Sequence, residues 1–146
     1  MAQNRSTAVM QRRAEPHDSL DDFPTPPWAT RALCEWIRAN GLELGACREP
    51  AANRGHVVRA LQEYFPVVVA ADVYNYGVGF PVQDYLFGPP PSTVSWTITN
   101  PPFRLAEQFI DQACRSSSVG VAMLVRSAFL EGVGRFERLF AVNPPA

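Results

Sequence analysis

The sequence predicts an α/β domain, a mainly parallel sheet with helices on both faces. Three observations carry that prediction. The runs P-V-V-V-A-A-D-V, S-T-V-S-W-T-I-T-N and S-V-G-V-A-M-L-V-R have the length of strands and are rich in β-branched residues. They are apolar almost throughout, as strands covered on both faces are. Segments with helical spacing of apolar residues lie between them, and this alternation is the pattern of parallel strands joined through helices.

The first helix is predicted in F-P-T-P-P-W-A-T-R-A-L-C-E-W-I-R-A-N-G, with Thr25 as its N-cap, prolines in its first turn and Gly41 as its stop. Trp28, Ala29, Ala32, Leu33, Trp36 and Ile37 recur at a spacing that makes one apolar face. A short strand, A-C-R-E-P-A-A, follows, then N-R-G-H and a helical run, V-V-R-A-L-Q-E-Y-F. P-V-V-V-A-A-D-V reads as a buried strand. A loop rich in Tyr, Gly and Pro holds Q-D-Y-L and leads to the strand S-T-V-S-W-T-I-T-N. After Pro-Pro comes a helix, F-R-L-A-E-Q-F-I-D-Q-A-C-R, then the strand S-V-G-V-A-M-L-V-R and a last helix in V-G-R-F-E-R-L-F-A-V.

Bulk properties bound the function. A chain of 146 residues holds one ordinary domain, and 47% hydrophobic with 18% charged residues suits a soluble protein with a buried core. No stretch has the apolar length of a membrane span, and the N-terminus lacks the apolar region of a secretory signal, so a cytoplasmic protein is expected. Cys34, Cys47 and Cys114 are odd in number and form no C-x-x-C pair. Reduced thiols and no metal site are expected. Net charge is −1, and the pI is near 6.1. Arg5, Arg12 and Arg13 form the one local basic excess, in a polar segment from residue 1 to about 20 that is expected to lack fixed structure. The domain proper is expected over 21–146. Tight binding of duplex DNA by this chain alone is not expected.

In parallel α/β sheets ligands sit outside the carboxyl ends of the strands. Glu49, Asp72, Asp84 and Asn100 fall at such ends or in the loops beyond them, which puts four polar residues on one rim. The turn E-P-A-A-N-R-G, residues 49–55, can face a ligand with backbone N–H groups and a helix N-terminus. A phosphate loop would carry more glycines and no acidic residue at the strand end, whereas Glu49 suits a ligand ammonium group. Asn53 is one of the few residues that tolerate φ > 0. An ordinary strand-to-helix turn accounts for the segment equally well. Asp72 can accept hydrogen bonds from both hydroxyls of a ribose, or cap a loop. Asp84 can bind an exocyclic amine while its neighbours cover an adenine ring, or stand solvated.

N-P-P-F, residues 100–103, is ordinary chemistry for leaving a sheet. It also answers a chemical need. An aryl amine is a poor nucleophile because its lone pair is delocalised into the ring. The Asn100 side chain and the Pro101 carbonyl can hold both amine hydrogens and stabilise the positive charge that develops on attack. Pro102 stiffens the turn, and Phe103 offers a face on which a flipped base can stack.

The order of these pieces resembles the class I S-adenosylmethionine-dependent methyltransferases. Within them it is similar to the branch that modifies the amino group of adenine in DNA, above all its small phage and prophage members. The resemblance runs from about residue 22 to the C-terminus. F-P-T-P-P is similar to the family's N-terminal motif, which implies Phe23 to Thr25 beside the methionine end of the cofactor. E-P-A-A-N-R-G resembles the first cofactor motif, with Glu49, Ala51, Asn53 and Gly55, and Asn53 stands where the family usually has glycine. A-D-V-Y resembles the second, with Asp72 and Val73, and Q-D-Y-L the third, with Asp84 and Tyr85. N-P-P-F is similar to the catalytic motif, implying catalytic roles for Asn100, Pro101, Pro102 and Phe103.

The resemblance implies a Rossmann-like fold, S-adenosyl-L-methionine as cofactor and the 6-amino group of adenine in DNA as acceptor. The family's sheet has seven strands. Val119 to Arg126 would be the fifth, and the last two, an antiparallel hairpin, are expected to be missing. An open edge there is expected to make the chain aggregate or take a partner. No target-recognition segment is visible, so DNA is expected to bind weakly and with little sequence preference. Other readings keep the motif and change the outcome: cytosine's 4-amino group, an RNA base or a protein glutamine as acceptor, or a catalytically inactive remnant that binds cofactor or partner. An NAD-binding domain is disfavoured by the absence of G-x-G-x-x-G.

Overall fold

The computed structural model describes residues 22–146; the polar segment from residue 1 to about 20, with Arg5, Arg12 and Arg13, lies outside them. The described residues form helix α1 (Pro27–Ala39), strand β1 (Ala46–Glu49), helix α2 (His56–Leu61), β2 (Val67–Ala70), β3 (Val94–Thr99), α3 (Ala106–Ser116) and β4 (Ser117–Met123). The strands make one sheet in the order β2-β1-β3-β4, with all three pairings parallel.

Helix α1 begins one residue later than the capping pattern predicts. Its N-cap is Pro26, with φ −62° and ψ 137°, and no side chain caps it. The reason is the Pro26-Pro27 pair. Pro27 fits the first helical position, and the residue before a proline is pushed out of the helical region. Thr25 is thereby left outside the helix, and its hydroxyl serves elsewhere. The helix ends as expected, with Gly41 at φ +67° and its N–H donating to the Arg38 carbonyl at 3.0 Å. The buried stripe is Thr30, Cys34 and Ile37, with Leu33 partly buried beside it. Trp28 and Trp36, placed on the apolar face by the sequence, are instead 71% and 51% exposed. Burial selected the Thr30–Ile37 stripe because that is the one facing the sheet.

Paired residues of parallel strands share a face, so Cys47, in register with Val68 and Trp96, marks one side of the sheet. There Cys47, Trp96 and Ile98 meet Cys34 and Ile37 of α1 and Val57 and Leu61 of α2. Full burial of such side chains contributes about 1.5–3 kcal/mol each. α2 is shorter than its sequence pattern. It stops at Leu61, a turn follows, and Pro66 holds Phe65 away from helical geometry. On the other face Tyr85 packs on Phe109 of α3 at 5.1 Å, and Arg48 pins the proline-rich segment by donating to the Ser92 carbonyl at 2.7 Å.

Two strand expectations change. β2 was expected to be buried, but it is an edge strand, with Val67 52% and Val69 44% exposed. No helix follows it to cover that face. Residues 73–93 turn at Gly77, Gly79 and Gly88, all with positive φ, and carry Pro81 and Pro89 to Pro91. That segment makes only an isolated bridge, Asp72 to Val82. The run expected as a fifth strand is therefore the fourth here, and it spans Ser117–Met123 rather than Val119 to Arg126. Among the described residues no strand pairs with its outer edge. The last helix is also interrupted: a turn at Val133–Arg135 widens into a π-type turn, Phe136–Phe140. This places Leu139 against Ala106 and Phe129, while Arg138 pairs with Glu107 at 2.8 Å.

Trp96 and Gly120 are partners in the β3–β4 register. A Cβ at Gly120 would lie 2.4 Å from Cζ3 of the Trp96 indole, which is buried and donates to the Glu43 carbonyl. Gly120→Ala is expected to destabilise the fold by ~1–3 kcal/mol, an overpacking cost, measured as a lowered midpoint in urea unfolding.

Candidate functional site

Parallel pairing brings the carboxyl ends of β1, β2 and β3 to one rim, and a cleft opens there. It encloses about 110 Å³, and about 800 Å³ when the solvent-open space at its mouth is included. Ligand pockets usually span about 300–1,000 Å³, so a nucleoside-sized ligand would have to extend into the mouth.

The first wall is the turn between β1 and α2. Asn53 has φ +51° and Gly55 φ +87°, the left-handed conformations that Asn and Gly accept. Gly55 does not line the cleft. It is the N-cap of α2, and a side chain there would press on Arg59 and Phe80. Ala51 and Asn53 do line it. The turn is bonded at each end, with Ala52 N–H donating to the Ala71 carbonyl at 2.9 Å and Asn53 N–H to Asp72 Oδ2 at 2.8 Å. Asn53 Nδ2 also donates to Asp22 Oδ1, which Arg54 contacts at 2.7 Å. These contacts hold the Asp22 carboxyl below its ordinary range, Asn53 contributing most.

Asp72 is buried at the end of β2 and lines the cleft. Its Oδ1 accepts from the Tyr74 N–H at 2.9 Å and its Oδ2 from Asn53. Each oxygen keeps a second acceptor direction, because a carboxylate offers about four in all. Val73 and Tyr85 supply apolar walls, and Asp84 closes its own turn by accepting from Leu86 N–H at 2.9 Å. One end of the cleft is thus rich in acceptors and flanked by apolar surface. That set of acceptors fits a ligand bearing vicinal hydroxyls beside a planar ring.

At the other end stands Asn100. Its Nδ2 donates to the Phe23 carbonyl at 3.0 Å and to Thr25 Oγ1 at 3.1 Å. Both amide hydrogens are used, so the orientation of the group is set and Oδ1 is turned to other work. No described residue donates to Oδ1 or to the Pro101 carbonyl. Phe23, Thr25, Asn100 and Pro102 line the cleft, whereas Pro101 is fully buried beneath it. Phe103 lies outside and stacks on Phe23, with centroids 5.5 Å apart.

Glu49 is the main departure from expectation. It does not line the cleft and is fully buried below its floor. Its Oε1 accepts from Ala51 N–H at 2.9 Å and from the Thr99 hydroxyl, while Oε2 has no hydrogen-bond partner. Burial pushes its carboxyl up to about 8, against the lowering effect of the Thr99 and Ala51 bonds. The residue ends the central strand, so it is enclosed by its neighbours before any ligand arrives.

Sequence reasoning missed five lining residues outside its motifs: His56, Val57, Tyr76, Leu105 and Phe109. His56 Nδ1 is buried with no partner, an orphaned polar atom beside the cleft. Its place, directly after the turn and first in the helix, was a signal that could have found it. Tyr76 comes from a loop, and its phenol is pushed up by burial and then by the nearby Asp72 charge. Among the described residues no cluster of three or more His, Cys, Asp or Glu is placed to hold a metal, and no helix is long and apolar enough to cross a membrane.

No protein-family model matches the chain, and neither does any curated protein. Among solved structures it is similar to a candidate RNA methyltransferase from Pyrococcus horikoshii. The two are 19% identical, superpose with a TM-score of 0.61, and the match covers 96% of this chain and 82% of the other. The likeness is one of fold: the Rossmann-like α/β arrangement predicted from the sequence is shared with that structure.

The Glu49 carboxyl makes stability depend on pH. Unfolded, it ionises near its ordinary 4.5; folded, only near 8. Between those values unfolding releases a proton, so stability is full below the lower value and falls as pH rises toward the upper. Melting temperatures from pH 5 to 8 are expected to decline more steeply for the natural chain than for Glu49→Gln, which keeps the acceptor for Ala51. Parallel slopes would place the ionisation elsewhere.

Proposed function

We propose that the chain is an S-adenosyl-L-methionine-dependent methyltransferase that acts on the exocyclic amine of a nucleic-acid base, namely the 6-amino group of adenine in DNA. One observation carries the reading. Asn100 lines the cleft at the carboxyl end of β3 and is held by both of its amide hydrogens, which leaves its Oδ1 as an acceptor there. The carbonyl of Pro101, buried beneath the cleft, receives no hydrogen bond from any described residue. Two fixed acceptors on a proline-stiffened turn suit an amine with two hydrogens.

When bound, the cofactor would supply an electrophilic methyl group on a sulfonium, whose carbon–sulfur bond breaks on transfer to leave a neutral thioether. The rest is the work of this chain's residues. Asp72 accepts from ribose hydroxyls with its remaining lone pairs. Val73, Asp84 and Tyr85 flank the cofactor's base, and Ala51 and Asn53 shape the wall that Gly55 allows to turn. Phe23 and Thr25 lie at the methionine end and at the same time orient Asn100. Glu49 holds Ala51 and Thr99 from below in place of touching the ligand. On attack the amine nitrogen becomes positive, and Asn100 Oδ1 with the Pro101 carbonyl stabilises that charge until a proton leaves to water. The same pair would serve an RNA base, and the likeness in fold to a candidate RNA methyltransferase favours RNA as the second acceptor.

Calorimetric titration should give binding of S-adenosylmethionine and S-adenosylhomocysteine but not of NAD. Asp72→Ala, with folding checked by its melt, should weaken that binding by ~1–3 kcal/mol, the cost of leaving buried polar groups unpaired. A folded natural chain that binds neither adenosyl compound at millimolar concentration would refute the reading.

Asn100→Ala should slow methyl transfer by ~10²–10³-fold, the usual effect of removing one acceptor or donor aimed at transition-state charge, with cofactor affinity nearly unchanged. Labelled-methyl transfer to adenine-containing DNA, with RNA of the same sequence alongside, measures this and decides between the two acceptors. Full activity in Asn100→Ala would reduce N-P-P-F to a turn.

A further inference from the structure

The side of the cleft that would take the target base is already covered. The Phe103 ring stacks on Phe23 with planes 26° apart, and the Arg126 guanidinium lies 4.3 Å from the Phe103 centroid. With a cation over the centre of the ring, a base that stacks where the guanidinium lies must displace it, and a base that stacks where Phe23 lies must displace that phenyl. Phe23 is anchored, because its carbonyl accepts from Asn100 and it forms part of the cleft wall. Arg126 is exposed, and among the described residues no hydrogen bond or ion pair holds its guanidinium. The arginine is the group that can leave.

Strand register explains why it stands there. Thr99 of β3 is paired with Met123 of β4, and Leu124 N–H donates to the Thr99 carbonyl at 3.0 Å. The two chains therefore leave the sheet side by side, one into Asn100–Phe103 and the other, three residues past β4, into Arg126. The charges of the rim are divided accordingly. Asp72 and Asp84 line the acceptor-rich end, where the cofactor is proposed to lie, Asp22 behind them is paired with Arg54, and Arg126 stands on the Phe103 side.

We propose that Arg126 is a phosphate-contacting gate on the target-base site. It covers Phe103 in the free protein and passes to a backbone phosphate beside the target nucleotide when the base stacks in its place. The proposal rests on the base-methylation reading and narrows the substrate to a base within a nucleic-acid strand, since neither a protein amide nor a free nucleoside supplies that phosphate. An exposed cation–π contact is weaker than base–aromatic stacking, and the displaced guanidinium gains a charge-assisted, bidentate partner, so the exchange favours the bound strand.

The test compares methyl transfer to an adenine-containing oligonucleotide with transfer to free adenosine, for the natural chain, Arg126→Ala and Arg126→Lys. Arg126→Ala is expected to raise KM for the oligonucleotide about tenfold, the loss of one charge-assisted contact. Its salt dependence should fall by about one phosphate, ~0.7–0.9 in the log–log slope. Transfer to adenosine should be undiminished because the guanidinium no longer lies over the ring, and S-adenosylhomocysteine affinity should not change. Arg126→Lys should keep the salt slope. A merely structural role would lower both acceptors together, and that result overturns the proposal, as does an unchanged KM and slope in Arg126→Ala. In either case an active natural chain leaves the methylation reading standing. A natural chain that binds S-adenosylhomocysteine but methylates no nucleic acid removes both.

Discussion

The rim of this sheet depends on one buried carboxyl. Glu49 ends the central strand, and its Oε1 joins the Ala51 N–H of the first turn to the Thr99 hydroxyl at the end of β3. Thr99 is followed at once by Asn100, so the same bond that shapes one wall of the cleft sets the starting point of the opposite one. From Asn100 the chain of contacts continues to Phe23 and Thr25, which close the cleft from the N-terminal side. A buried carboxyl is expensive when ionised. Here burial favours the protonated form, which removes the charge while keeping the acceptor.

The two faces and two ends of the sheet divide the work. The face under α1 and α2 is filled by Cys34, Ile37, Leu61, Trp96 and Ile98 and holds the strands together without polar chemistry. The cysteines in that core are inert: burial pushes the Cys34 thiol up to about 11 and the Cys47 thiol further still. The carboxyl ends of the strands carry the groups that meet a ligand. Salt bridges outside these regions, such as Arg31–Glu63 at 2.7 Å, are half-exposed and contribute little to stability.

The segment between β2 and β3 departs furthest from a regular α/β unit. Where a helix would cover β2, a glycine- and proline-rich loop leaves Val67 and Val69 open and sends Tyr76, Asp84 and Tyr85 to the cleft. Arg48 ties this loop to the sheet through Ser92, so the loop's place is set from the strand it crosses. The cleft therefore has one wall made of the turns at the strand ends and another made of a pinned loop.

Local sequence was enough for the strands, for their parallel pairing and for the placement of polar residues at one rim, because strand length, β-branched runs and Pro-Pro or Gly stops are local properties. It also determined the positive φ at Asn53, which few other side chains tolerate. Asp72, Asp84 and Asn100, which line the cleft, were legible at that rim on the same grounds, whereas Ala51, Val73 and Tyr85, which line it too, were named through the family resemblance. Tertiary structure alone decided what contacts between distant segments control. Thr25 looked like a helix cap until Pro26 moved the helix start and Asn100, 75 residues away, took its hydroxyl. Glu49 looked like a ligand group until the central position of β1 enclosed it. β2 looked buried until its place at the sheet edge left it open, and the Arg126–Phe103 contact exists only because β3 and β4 pair in one register. Periodicity reports which face of an element is apolar; which neighbour covers that face is set by the packing of the whole chain.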